Sequence, residues 1–306
     1  MKSDTYPKVT ILLATFNRAH LILETLESIA NQTYTNFECL ITDDNSTDDT
    51  EVVVNAFIES DSRFFYFKKT ETYPQGLSAT RNFGLDLAQK RNAEFIQFFD
   101  DDDIMHPKKL EFQVLPLLKD SKLDFTLCLY RKFDTINMID FDLESADDGS
   151  CKITFKDLAK AFFLNLANIN SPGPLWRASV ISKYRFDEEL YYAEEREFYL
   201  RIFLTENTNY KPVEFVLFWY RKHPYAITSG LYSDPQIKPH SERLMRKSIL
   251  NFMLQKKNVP FYLVKSYLVS AKKEKSQHDL KRLREYLFKT SFFKPRQFAL
   301  LFYSYL

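Results

Sequence analysis

Residues 94–111 read EFIQFFDDDDIMHPKKLE: an apolar run of strand character, four consecutive aspartates, then a proline and a lysine-rich helical start. Each of Asp100, Asp101, Asp102 and Asp103 raises the cost of ionising the next. Such repulsion is worth about 1 kcal/mol for a close pair in water and several times more in a shielded cleft. Either the run lies open to solvent or something positive offsets it, and the flanking sequence decides between the two. Apolar, β-prone runs recur at 9–14 (VTILLA), 37–42 (FECLIT), 64–68 and 94–99. Between and after them, helical spacing is expected over 19–32, 48–59, 77–90 and 107–118. Leu21, Leu23, Leu26, Ile29 and Ala30 mark the first helix, STDDTE offers N-caps to the second, and Pro107 suits the first turn of the fourth.

Strand–helix alternation of this kind predicts an α/β fold: a Rossmann-like, mostly parallel sheet with right-handed crossovers, flanked by helices on both faces. Ligands of such sheets bind beyond the carboxyl ends of the strands. TFNR (Thr15, Phe16, Asn17, Arg18) follows the first strand, DDNSTDDT (43–50) the second and DDDD the fourth. One Asp-rich turn is most simply a solvated loop with a helix cap. Three at successive strand ends are expected to open on one edge as a shared site.

The middle of the chain is less regular. LDFTLCLYRKF reads as a strand, TFKDLAKAFFLNLA and EREFYLRIFL as helices, and KPVEFVLFWYRKH as a late strand. From residue 236 onward the pattern is helical, basic and aromatic. That segment holds 16 Lys/Arg against 4 Asp/Glu, whereas the first 235 residues hold 26 against 37, so a net charge of +1 conceals two oppositely charged regions. We therefore expect a 1–235 domain in two halves, 1–130 with the regular strand–helix alternation and 131–235 less regular, followed by a helical 236–306 appendage. Cys39, Cys128 and Cys151 are widely spaced and form no CxxC pair, which argues against a disulfide framework or structural zinc and suits a reducing compartment. The opening MKSDTYPKVTILLATF reads as a first strand rather than a signal peptide. No apolar stretch approaches the roughly 18 residues needed to span a bilayer.

Several chemistries fail against the aspartate run. An EF-hand loop needs Gly at its sixth position and an oxygen ligand at its fifth, where this chain has Met105 and Ile104. An aspartyl-nucleophile phosphatase places DxD after its first strand, a nucleotidyltransferase opens with a Gly-rich basic loop, and no P-loop is present. What remains is a nucleotide diphosphate bridged by a divalent metal, because a diphosphate cannot approach carboxylates without a cation between them. Mn²⁺ or Mg²⁺ accepts carboxylate and phosphate oxygens together.

The ordered set PKVTILLATFNR, FECLITDDNSTDDT, GLSATRNFGLDLA, FFDDDDIMHPKKLE, AEEREFYLRI and YRKHP, from Pro7 to Pro224, resembles the inverting family-2 nucleotide-sugar glycosyltransferases of GT-A fold, bacterial members of which build surface polysaccharides. The resemblance implies that Asp43 and especially Asp44 receive the base and ribose, with Thr15, Phe16, Asn17 and Arg18 beside them. Phe16 stands where the family often has a stacking Tyr. Arg81 would lie near the nucleotide or its phosphates. The DxD motif falls on Asp100–Asp101–Asp102, since Pro107 aligns with the proline after it. On this likeness Asp102 contacts the metal, Asp100 the metal or the donor ribose, Asp103 the donor sugar, and His223 the metal or diphosphate. Glu195, second of a Glu–Glu pair where the family has Glu–Asp, would be the base that deprotonates the acceptor hydroxyl, with one methylene more of reach. Trp176, in SPGPLW, would either stack on a sugar or fill the core.

The likeness implies a UDP-sugar donor, a glycan or lipid-linked oligosaccharide acceptor, and a cytoplasmic site of action at the inner face of the cell membrane. Three readings stay open for the basic tail: packing on the core, a nucleic-acid surface, or an interfacial membrane contact, of which the last is favoured. The rival to an enzyme is a catalytically silent nucleotide- or glycan-binding module that assembles at the membrane.

Overall fold

The computed structural model describes residues 6–143, 152–206, 208–223, 236–256, 259–290 and 295–304; Cys151 and Pro224 lie outside this set. Contacts divide the chain into two units, Met1–Ser241 and Glu242–Leu306, a division six residues beyond the boundary expected from composition.

In the first unit, eight strands form one sheet in the order β3-β2-β1-β4-β7-β6-β8-β5. β1 (Val9–Thr15), β2 (Phe37–Asp43), β3 (Phe64–Lys68) and β4 (Phe95–Asp100) pair in parallel. β1 and β2 are buried along their whole length, as central parallel strands covered on both faces must be. α1 (Ile22–Ala30), α2 (Thr50–Ile58), α3 (Leu77–Lys90) and α4 (Lys109–Lys119) follow the four strands as the apolar periodicity anticipates. α4 begins two residues after Pro107, so the proline precedes the helix instead of opening it. His106 explains the delay, because its Nδ1 accepts the Lys108 amide at 3.0 Å and holds the turn before the helix.

The other four strands are mixed. β6 (Phe125–Phe133) and β8 (Tyr210–Arg221) run parallel, while β7 (Pro174–Arg177) pairs antiparallel with both β4 and β6. β5 (Ile104–Met105) pairs antiparallel with β8, Ile104 opposite Trp219. α5 (Leu158–Phe163) is shorter than its pattern suggests: Asp157 caps its start, and Asn165 at φ 58° turns the chain away. α6 (Ala178–Ile181) and α7 (Glu194–Thr205) complete the unit. Cys39 and Cys128 are buried free thiols.

The second unit is helical. The chain forms α8 (Ile237–Leu254), α9 (Phe261–Lys273), α10 (Gln277–Thr290) and α11 (Pro295–Tyr303). Leu263, Val264, Tyr267 and Leu268 of α9 and Leu280, Leu283, Tyr286 and Leu287 of α10 are buried at helical spacing, and their outer faces carry lysines. Among the described residues, no helix is long and apolar enough to cross a membrane.

Candidate active site

Strand register gathers the polar clusters. Thr15 lies opposite Asp43 and Ala14 opposite Asp100, so the loops after β1, β2 and β4 leave the sheet along one edge. The first two are knitted together: the Asn17 amide donates to Ser46 Oγ (2.9 Å), the Thr47 amide to Asn17 Oδ1 (2.8 Å) and the Arg18 amide to Thr50 Oγ1 (2.8 Å). Phe16 keeps 38% of its surface exposed on this edge, leaving a ring face open to a flat partner.

Asp43 and Asp44 are both buried and both engaged within the protein. Asp43 Oδ1 accepts from the Ser46 amide (2.9 Å) and hydroxyl (2.6 Å), and its Oδ2 accepts from Tyr66 Oη. Asp44 is ion-paired with buried Lys69, and its Oδ2 accepts the Gly76 amide at 2.8 Å. Gly76 has φ 131°, a conformation open to glycine, so that amide can be aimed at the carboxylate. Lys69 and Tyr66 were not singled out in the sequence. The available signal was weak: β3 is the neighbour of β2, which puts Lys68 opposite Asp43 and Lys69 just past the edge.

The aspartate run splits four ways. Asp100 Oδ1 accepts from Arg81 Nη2 at 2.8 Å. Asp101 faces Arg18, with Nε 3.4 Å from Oδ1. Asp102 Oδ2 lies 2.9 Å from His223 Nε2. Asp103 is fully buried, and its Oδ1 accepts the Arg221 amide at 2.9 Å. Asp103, expected at the donor sugar, has no exposed surface here and ties β8 to the run. Arg221 completes the tie by donating from Nε to the Asp102 carbonyl at 2.7 Å. The β5–β8 pairing next door is what carries His223 to Asp102.

Burial, with the neighbouring aspartates, pushes the Asp100, Asp101 and Asp103 carboxyls up. Asp103 rises well above its ordinary value, held there by burial and by Asp102 and Asp100. Asp101 is pushed up to about 7 by burial and Asp102, which Arg18 only partly offsets. Asp100 is raised by burial against the pull of Arg81. The run is therefore not open to solvent, and Arg18 beside Asp101 and Arg81 beside Asp100 offset part of its charge.

The Glu–Glu pair opens α7, just after Ala193 in the left-handed region (φ 62°). Arg81, on α3 and only 3% exposed, reaches both: Nη1 donates to Glu194 Oε1 at 3.2 Å and Nη2 to Glu195 Oε1 at 2.9 Å. Glu195 is pushed up to about 7, chiefly by burial, with Asp100 and Glu194 adding and Arg81 opposing. A partly exposed carboxylate with a near-neutral pKa is suited to proton abstraction. Trp176 is wholly buried, stacked on Phe125 (4.1 Å between ring centres) and Tyr199 (5.7 Å), so it fills the core and has no face for a sugar.

Among the described residues no three His, Cys, Asp or Glu side chains are grouped to hold a metal unaided. The Asp102–His223 pair, with Asp100 nearby in sequence, offers oxygen and nitrogen donors in an electron-rich corner that already carries excess negative charge. Such an incomplete set fits Mn²⁺ or Mg²⁺ that draws its remaining ligands from a diphosphate.

Residues 10–171, just over half of the chain, match the family model for glycosyl transferase family 2. The chain belongs to that family. A curated relative, the Campylobacter jejuni GalNAc(5)-diNAcBac-PP-undecaprenol beta-1,3-glucosyltransferase, is 30% identical over 185 residues, 60% of this chain and 56% of the relative. The chain thus spans little more than half the length of that glucosyltransferase. Staphylococcus aureus TarS 1–349 in complex with UDP-GlcNAc has the same fold, with a TM-score of 0.60 at 18% identity over 92% of this chain and 81% of that one. Glucosyl-3-phosphoglycerate synthase from Mycobacterium tuberculosis, solved with Mn²⁺, UDP and phosphoglyceric acid, aligns with a TM-score of 0.53 at 16% identity over 80% and 78% of the two chains. The GT-A expectation for this family-2 chain is met by its own sheet and by these folds.

Proposed function

We propose that the chain is a metal-dependent inverting glycosyltransferase that moves a sugar from UDP to a hydroxyl of a glycan, carried in the cell on a lipid. One observation carries this reading. A single guanidinium nitrogen, Arg81 Nη2, lies 2.8 Å from Asp100 and 2.9 Å from Glu195, so the aspartate run and a near-neutral carboxylate share one small space. Donor-side charge and acceptor-side base must be that close for an in-line displacement.

Phe16 offers a face to the uracil, and the loops bearing Asp43 and Asp44 enclose the nucleoside. Asp102, Asp100 and His223 would hold Mn²⁺ or Mg²⁺, which when bound neutralises charge on the departing diphosphate. Glu195 takes the proton of the acceptor hydroxyl; its oxygen bonds to the anomeric carbon while the bond from that carbon to the diphosphate oxygen breaks, and UDP leaves. An α-linked donor gives a β-linked product. The acceptor is bound by the 131–235 half. Support for the donor and the metal comes from the UDP-GlcNAc and Mn²⁺ present in the two folds above, and support for a lipid-linked acceptor from the undecaprenol in the Campylobacter relative's name. The basic helical tail would sit against anionic headgroups, at the inner face of the membrane.

The test is transfer from a panel of UDP-sugars to lipid-linked acceptors with Mn²⁺, alongside Glu195→Gln. We expect turnover from at least one donor, and a loss of at least about 100-fold in the variant with UDP affinity retained. UDP binding with no transfer from any donor would instead identify a silent binding module.

A further inference from the structure

The family resemblance places Arg81 near the nucleotide or its phosphates, but its surroundings point elsewhere. The guanidinium is 3% exposed, and its Nη donors go to three carboxylates: Asp100, Glu194 and Glu195. The Phe186 ring lies 5.4 Å from its central carbon, covering a face. Little of the group is left for a phosphate. It is, however, built to fix carboxylates: a rigid planar fork presents several donors at set angles, which a lysine ammonium cannot do.

We propose that Arg81 is a positioning residue, which holds the Glu195 carboxylate at the acceptor side and ties it to Asp100 at the end of β4 without itself contacting nucleotide or diphosphate. The proposal rests on Glu195 being the base. Glu195 sits at the second residue of α7, where side-chain freedom alone would let it swing away. The Nη2 bond fixes it, and the Nη1 bond to Glu194 fixes the guanidinium in turn. Because Asp100 is held by the same nitrogen, the distance between the donor edge of the sheet and the base is set by one side chain. The groups that face Glu195 are Arg81 from α3, Asp100 from β4, Ser171 from the loop before β7, and Glu194 and Tyr199 from its own helix. Arg81 is the cation among them, and it pulls the Glu195 pKa down.

Arg81→Lys and Arg81→Gln in the full chain test this. If Arg81 positions the base, Arg81→Lys lowers kcat on the order of 100-fold, as misplacing a reacting group by about 1 Å does. The affinity for UDP without Mn²⁺, read by calorimetry, stays as in the wild type, because it does not pass through Asp100. Arg81→Gln additionally moves the acid limb of the kcat–pH profile to higher pH, since the cation that favours ionised Glu195 is gone. A fall in UDP affinity with kcat intact overturns the proposal in favour of a phosphate contact. If neither variant folds, Glu194→Gln decides: weaker anchoring of Arg81 should lower kcat several-fold with UDP affinity unchanged, and an unchanged kcat overturns the proposal. Glu195→Gln separates the two levels. Were it active, the base assignment itself would fall; were it inactive while Arg81→Lys turned over normally, only the role of Arg81 would.

Discussion

A carboxylate that holds its proton in the folded protein but not in the unfolded chain makes stability depend on pH, and Asp101 is such a group. Its folded pKa, about 7, lies above its ordinary 3.8. Its contribution to stability is therefore full below pH ~4 and is lost as pH rises through about 7. Asp101→Asn mimics the protonated form at every pH. The variant should melt higher than the wild type at pH 8, by about 2–4 °C for each kcal/mol of repulsion relieved, by less at pH 5, and with the gap closing toward pH ~4. Equal melting temperatures at pH 8 would show that the run is not under strain. Residue chemistry at this scale was partly legible. Four adjacent aspartates announced charge that must be offset, and Arg18 and Arg81 lie against two of them. What no spacing could reveal was which carboxylate faces inward: Asp103 looked equivalent to its neighbours until the β5–β8 pairing buried it against the Arg221 amide.

Helices and strands with a strong period were read nearly in full from residues 9–118, because an amphipathic face or an all-apolar run leaves little ambiguity. The two strands that were missed, β5 and β7, have two and four residues. Their strand character comes from the partners they meet and not from a pattern of their own. β7 is also what settles Trp176: pairing with β4 on one side and β6 on the other puts it against Phe125 in the middle of the sheet. Trp176→Ala should cost about 3–5 kcal/mol in denaturant unfolding, as removal of a large buried aromatic does. A variant of native stability with a raised acceptor KM would return this tryptophan to a sugar-binding face.

The opposite charge of the two chain regions was visible in composition alone, and so was the helical nature of the tail; what the tail touches was not. On α10, Lys281, Lys289 and Phe288 are exposed, the phenylalanine to 71%. Basic side chains around a bare aromatic suit anionic headgroups. The full chain should sediment with vesicles containing phosphatidylglycerol at low ionic strength and be released in about 0.5 M salt, where the Debye length has shrunk to a few ångströms. It should ignore vesicles of phosphatidylcholine alone. Equal binding to both, or to neither, would remove the membrane from the proposed function while leaving the transfer chemistry untouched.

That chemistry stands on a dication joining the aspartate run to the diphosphate of the donor. Calorimetry of UDP binding, with and without Mn²⁺, to the wild type and to Asp102→Ala measures it directly. UDP should bind at least about 10-fold more tightly with Mn²⁺, and Asp102→Ala should erase that gain. An affinity indifferent to Mn²⁺, or a gain that survives the loss of Asp102, would contradict it.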